Sequence, residues 1–363
     1  METFERRRAQ IQRTVAEQDL HGFLVTNPIN VSYLTNFSGD SSYLLLGRSD
    51  CVLVSDGRYD VQLREECPGL PVHIRPPSIR ITPATTSVIE QRGWSRVGFE
   101  SGHVTVAELA SLQGALPSVQ WKPCEDAVER LRIKKDATEI AAIREAIGVA
   151  QRAFVRWQKG LRPTDTEKQL GDRMEMLIRD EGGSCSSFPP IVGVGARSAL
   201  PHAPLTATAL DAGDFVLVDW GAKGRFYMSD LTRVLATSKI SPKLTDVHAA
   251  VCRAQARAIA RIRPGIQAQE VDAEARAALQ EAGFGEFFSH GLGHGFGLQI
   301  HEPPFLRPNS STVLEAGMVV TVEPGVYLPD WGGVRIEDDI LVTADGCEVL
   351  TSLSHDMDCR TAN

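Results

Sequence analysis

The 363-residue sequence has no apolar stretch long enough to cross a bilayer, so a membrane-spanning role is not expected. It has no block of like charge either. Acids and bases interleave to a net charge of −8, which argues against a nucleic-acid surface or a polybasic membrane patch. The opening METFERRRAQIQ mixes acids among its bases and has no apolar run behind them, so no signal peptide is expected. Cysteine is sparse and unpatterned. Cys51, Cys67, Cys124, Cys185, Cys252, Cys347 and Cys359 form no CxxC pair, and their odd number reads as small buried thiols in a reducing, cytoplasmic compartment. What remains is ordinary globular composition, 42% apolar and 23% charged, in a chain too long for one comfortable core.

Two regions differ in rhythm. In the first third, short apolar runs at 22–25, 43–46, 51–54 and 96–99 read as strands, and 60–66 and 105–116 carry helical spacing. This predicts a small α/β domain over 1–125. The character changes near Lys122-Pro123, and 126–363 reads as a second domain. There, helical spacing over 137–158 and 166–179 precedes strands, with a cap expected at Thr164-Asp165 and a stop at Gly182-Gly183. Helices over 242–262 and 271–282 repeat the layout, and Gly283 ends the second.

The repetition is visible in letters. Residues 210–221 read LDAGDFVLVDWG and residues 314–325 read LEAGMVVTVEPG, placing Asp219 and Glu323 at matching positions 104 residues apart. A duplicated unit of about 100 residues implies a site at the seam between the copies. In the first copy, a strand ending at Asp219, a turn at 221–224 and a return strand over 225–235 form a hairpin, which sets Asp219 and Asp230 on one face. The second copy supplies Glu323 and Glu337. If the halves face each other, four carboxylates meet. Each close like-charged pair then repels by roughly 4 kcal/mol at an effective dielectric near 20, so the cluster must take up protons or cations. Between the copies, His290, His294 and His301 stand in the glycine-rich run 289–302, where at least one is expected to be a metal ligand. Its alternating glycines do not match a dinucleotide fingerprint. His202, in SALPHA at 198–203, occupies the corresponding place in the first copy.

Together SALPHA, VDWGAKGRFYMSDLTR, SHGLGHGFGLQIHE, VTVEPGVY and GGVRIEDDILV resemble the pita-bread metallopeptidases, and within them the prolidase and aminopeptidase P branch. The N-terminal run TNPINVSYLTNFSGDSSYLLL resembles the same branch. The resemblance implies an α+β fold: a catalytic domain of duplicated helix–helix–strand units around a curved antiparallel sheet, beside a smaller α/β domain. It implies two divalent ions, with Asp219 on one, His294 and Glu323 on the other, and Asp230 and Glu337 bridging. His202 and His301 match donors to the scissile carbonyl and the oxyanion, His290 a further histidine of the pocket, Arg335 a brace for the carboxylates, and Tyr327 a supporting hydroxyl. Glu323 is the candidate proton carrier. Val234 departs from the family's usual threonine, which leaves one supporting hydroxyl in question. The oxygen-rich set favours Mn2+ or Co2+, with Zn2+ third. The implied reaction is hydrolysis of the bond before proline in short peptides, by a homodimer. A methionine-aminopeptidase-like or creatinase-like hydrolase, or a non-catalytic peptide-binding module of the same shape, are the alternatives.

Overall fold

The computed structural model describes residues 2–238 and 240–358. The chain divides into two compact units, Met1–Arg132 and Ile133–Asn363.

The first unit is built on a six-stranded sheet. Its order is Val72–Arg75, Cys51–Asp56, Tyr43–Gly47, Gly22–Val25, Arg96–Glu100 and Gln120–Cys124. The central strand Gly22–Val25 runs antiparallel to Tyr43–Gly47 and parallel to Arg96–Glu100. Its four residues are all buried, as a strand covered on both faces requires. Val88, Ile89 and Leu112, from helices Ile81–Gln91 and Val106–Ala115, pack against Leu24, Leu45 and Val97. Lys122 and Pro123, where the composition changes, lie in the last strand of this sheet.

The second unit carries the duplication as architecture. Helices Ala137–Lys159 and Glu167–Asp180 precede a three-stranded sheet ordered Leu231–Ala236, Phe215–Trp220, Ile191–Val194. Helices Pro242–Arg261 and Ala268–Glu281 precede a five-stranded sheet ordered Glu302–Leu306, Gly293–Gly295, Val319–Val322, Asp338–Val342, Cys347–Val349. The bridges Thr166↔Ala209 and Gln267↔Val313 occur at equivalent places in the two halves, and Thr232↔Glu337 joins one half to the other. The α+β fold expected from sequence is thus present. Among the described residues, no helix is long and apolar enough to cross a membrane.

Local chemistry explains the helices. Ala137–Lys159 begins with a capping box, Asp136 accepting from the Thr138 and Glu139 amides while Glu139 reaches back. Ile143, Ala146, Ile147, Ala150, Ala153, Phe154 and Trp157 bury one face at the three- and four-residue spacing of a helix. Trp220 stacks on Phe154 with ring centroids 4.5 Å apart and donates Nε1 to the Ala150 carbonyl at 3.0 Å. Trp157 Nε1 donates to the Leu170 carbonyl at 2.9 Å.

Several expectations change. The cap of helix Glu167–Asp180 is Thr166, whose hydroxyl accepts from Gln169 N, because Asp165 is engaged with Arg162 N and Arg173. The return strand after Asp219 starts at Leu231 instead of Arg225. Ala222–Lys223 pairs with Cys185–Ser186 on one side and, through the Lys223↔Met228 bridge, with the returning chain on the other, so the tight turn of the hairpin lies at 224–227 instead of 221–224. Of the cysteines, Cys67 and Cys124 are buried, while Cys51, Cys185, Cys252 and Cys347 are only partly so and Cys359 lies outside the described residues.

Trp157 is fully buried between the paired helices of the first half. Trp157→Ala should therefore cost about 3–5 kcal/mol through lost burial and a residual cavity. A lower denaturation midpoint of the larger unit, read by urea titration, checks this.

Candidate active site

Each half delivers acids from strand ends. Asp219 is the penultimate residue of Phe215–Trp220, in register with Thr232, and Asp230 directly precedes Leu231–Ala236 on the same face. Glu323 follows Val319–Val322, and Glu337 sits between Gly332–Arg335 and Asp338–Val342. His294 occupies the short strand Gly293–Gly295. That strand's glycines are demanded by close approach. A Cβ on Gly293 would lie 2.1 Å from the Thr321 carbonyl oxygen, and one on Gly295 2.4 Å from that of Pro303.

These residues converge. Asp230, His294 and Glu337 each offer one ligand atom, all within 4.8 Å of one another, and all three side chains are buried. His294 Nε2 stands 3.6 Å from Asp230 Oδ2 and 3.3 Å from Glu323 Oε1. Asp219 is gripped by Arg335, whose Nη2 donates to Oδ2 at 2.6 Å, while its buried Oδ1 has no hydrogen-bond partner among the described residues.

Burial and mutual repulsion dominate the electrostatics. Desolvation raises Asp219 against the pull of Arg335. Desolvation, then Glu337, Asp219 and Glu323, push Asp230 well above the usual carboxylate range. Glu337 rises well above it through desolvation and then Glu323 and Asp219. Burial lifts Glu323 to about 8.

The histidines divide by their partners. His294 Nδ1 faces the Gly295 carbonyl at 3.1 Å. A carbonyl only accepts, so Nδ1 carries the proton and the Nε2 lone pair points at carboxylates. Burial keeps this ring neutral, lowering its pKa to about 3. A lone pair facing carboxylates repels them unless a proton or a cation lies between, and a neutral imidazole among buried acids is a donor set that fits a divalent metal. His290 Nδ1 faces the Gly291 carbonyl at 2.8 Å, which leaves Nε2 to accept from Tyr327 Oη at 2.9 Å. Tyr327 Oη accepts from Arg335 Nη1 at 2.8 Å, linking His290 to Asp219 through two side chains. Burial drops His290 to about 4 and lifts Tyr327 to about 12. His202 and His301 line the same cavity, yet neither imidazole makes a hydrogen bond among the described residues. His301 packs edge-on to His294 with centroids 4.4 Å apart. The cavity encloses about 760 Å³, and its apolar wall includes Phe188, Pro189, Ile191, Leu205, Ile300 and Phe305.

All ten residues singled out from sequence line this cavity. Sequence reasoning missed the groups behind them. Thr232 Oγ1 donates to Glu337 Oε2 at 2.6 Å and accepts from Arg335 Nε at 3.2 Å. Thr321 Oγ1 donates to Glu323 at 3.3 Å and accepts from His294 N at 3.1 Å. Arg233 holds the Glu337 carbonyl at 2.6 Å and pairs with Asp338, and Asp339 accepts from Asp230 N at 3.3 Å. A strand threonine reads as ordinary β-propensity, so only pairing with the acids could have marked Thr232 and Thr321. The question raised by Val234 closes here. It is buried in the apolar cluster with Leu217 and Phe215, and the hydroxyl beneath Glu337 belongs to Thr232.

Residues 141–344 match the model of metallopeptidase family M24, and residues 7–134 match the creatinase/prolidase N-terminal domain. A Xaa-Pro dipeptidase of Pyrococcus furiosus is 31% identical over 94% of this chain and 96% of its own length. Among solved structures, a Xaa-Pro dipeptidase from Bacillus anthracis superposes with a TM-score of 0.94 at 35% identity, covering 98% of this chain and 99% of its own. An X-Pro aminopeptidase from Thermotoga maritima gives 0.89 at 31% identity, covering 95% and 99%. With its buried acids and histidine in a duplicated α+β unit, this chain belongs to metallopeptidase family M24.

Proposed function

We propose that this enzyme hydrolyses the peptide bond before proline, in Xaa-Pro dipeptides or at the Xaa-Pro N-termini of short peptides. Asp219, Asp230, His294, Glu323 and Glu337 would hold two divalent ions. The observation that carries the metal reading is the His294 Nε2 lone pair aimed at Asp230 and Glu323 inside a buried carboxylate cluster. The oxygen-rich donor set favours Mn2+ or Co2+. The proline preference is supported by the relatives just described and by a wall apolar enough to take a pyrrolidine ring. Bound divalent ions supply Lewis acidity toward a carbonyl oxygen and an attacking water.

The protein's own groups do the rest. Asp219 keeps Oδ1 open to an ion because Arg335 occupies Oδ2. His202 and His301, with ring nitrogens free of protein partners, donate to the scissile carbonyl and to the oxyanion that develops on it, a role worth about 3 kcal/mol per donor in other enzymes. Glu323 takes the proton of the attacking water and passes it to the departing proline nitrogen, which must be protonated to leave. His290 stays neutral and fixed by Tyr327, shaping the pocket without adding charge. The apolar wall excludes competing water from the reacting bond.

Asp230→Ala should abolish metal retention and Xaa-Pro hydrolysis together, read by elemental analysis and a dipeptide assay. A variant fully active without bound metal would overturn the assignment. The raised carboxyl pKa values also predict a pH dependence for the metal-free protein. Groups raised above their unfolded values of about 4 contribute stability that is complete below that pH and is lost as pH rises through the folded values. For Glu323 the loss extends to about pH 8. The melting temperature of chelator-treated protein should fall between pH 5 and 8, and added Mn2+ should raise it more at pH 8 than at pH 5. Equal metal-induced shifts at both pH values would contradict the cluster's role.

A further inference from the structure

His202 reaches the cavity from a loop, and no hydrogen bond to its own ring fixes where the imidazole lies. The imidazole is exposed and makes no hydrogen bond among the described residues. What the loop does have is a buried carboxylate at its base. Glu167, the first residue of helix Glu167–Asp180, is fully buried, and its two oxygens gather the segment from both ends. Oε1 accepts from Val194 N at 3.0 Å, and Oε2 accepts from Thr206 N at 3.1 Å and Thr206 Oγ1 at 2.5 Å. Arg197 Nε lies 2.9 and 2.8 Å from the two oxygens, and its Nη2 donates to the Pro204 carbonyl at 2.6 Å. The span from Val194 to Thr206, with His202 inside it, is therefore closed on one carboxylate.

The second half repeats the device. Asp272, almost fully buried on helix Ala268–Glu281, accepts from Leu292 N at 3.1 Å and pairs with Arg276 at 2.7 Å. Arg276 in turn donates to the carbonyls of Phe288 and His290. In each copy, a buried acid on the second helix and one arginine grip the backbone of a histidine-bearing segment. A buried ion pair is a weak source of stability, because desolvation offsets most of the attraction and apolar packing often serves as well. Holding a backbone in one geometry is what such a pair does better than apolar packing. A carboxylate can accept several hydrogen bonds from fixed directions.

We infer that Glu167 and Arg197 form a positioning pair that sets the placement of His202 for turnover. The inference rests on the reading of His202 as a donor to the substrate. Glu167 touches no substrate and acts only through the loop. Further tethers fix the same segment at Ser198, Pro201 and Thr206, whose carbonyl accepts from Lys168 N at 3.0 Å. Ser198 Oγ accepts from Gly333 N at 2.7 Å, and Arg335 Nη2 reaches the Pro201 carbonyl at 3.4 Å.

The test is a pair of double-mutant cycles on the metal-loaded full-length chain, with a Xaa-Pro dipeptide as substrate. Glu167→Gln keeps the shape and removes the charge. Arg197→Gln removes the other partner at a side chain that is 27% exposed, which keeps the cycle available if the buried variant folds poorly. Each single variant should lower kcat by about tenfold or more while KM and metal content hold, and in a His202→Ala background the same change should add less than about twofold, the signature of coupled residues. Arg197→Lys should recover part of the loss. Equal fold-losses with and without His202, or a fall in metal content in step with kcat, would overturn the positioning role. If His202→Ala by itself leaves kcat unchanged, the reading of His202 fails first, and this inference with it.

Discussion

Asp219, Asp230, Glu323 and Glu337 are drawn into one buried pocket with a neutral imidazole, and the catalytic unit is arranged around keeping them there. Each acid is costly to bury alone, and their proximity multiplies the cost. Arg335 answers one of them, through Asp219, and leaves Asp230 and Glu337 raised well above their ordinary pKa values. The charge that remains is what makes the pocket a cation receptor. A pocket satisfied by protein groups alone would have no use for a metal ion.

Rigid surroundings keep such repelling groups from separating. Asp219 lies at the end of a strand whose two faces enter two apolar cores, Val216, Val218 and Trp220 in one and Phe215 and Leu217 in the other, and Glu323 follows a strand whose Val320 and Val322 join that second core. Withdrawing either acid means pulling a strand out of its core. The backbone between the halves closes through the Thr232↔Glu337 bridge, and Thr232, Thr321, Arg233 and Asp339 bind the acids or their peptide groups from behind. Such outer contacts orient ligands and tune their basicity. The glycines at 293 and 295 belong to the same logic, since only a residue without a side chain lets the His294 strand lie against its neighbours.

The duplicated organisation distributes these tasks unequally. Each half brings two helices, a strand ending in an acid and a histidine segment held by an acid–arginine pair. Only the second half supplies the histidine buried among the carboxylates. His202 of the first half and His301 of the second stay at the cavity wall with no hydrogen bond to either ring among the described residues. The buried cluster therefore draws on both copies, Asp230 from the first and His294 and Glu337 from the second.

Some of this could be read without coordinates. The matched segments LDAGDFVLVDWG and LEAGMVVTVEPG disclosed the duplication, because strand burial and turn chemistry demand the same residue types at the same offsets. The acids ending apolar strands, the glycine-framed histidines and the motifs around them disclosed the family and ten of the residues that line the cavity, since burial of charge leaves a mark in a chain that otherwise alternates by period. Tertiary structure alone decided the rest. Whether Ala222–Lys223 turns or pairs with Cys185–Ser186 depends on a strand partner far away in sequence. The hydroxyl under Glu337 and the buried grip of Glu167 on both ends of the His202 loop are relations between residues distant in sequence. Threonine, glutamate and arginine carry no sign of such partners in their local pattern, because a hydrogen bond is fixed by proximity and direction, and those arise only when the chain folds.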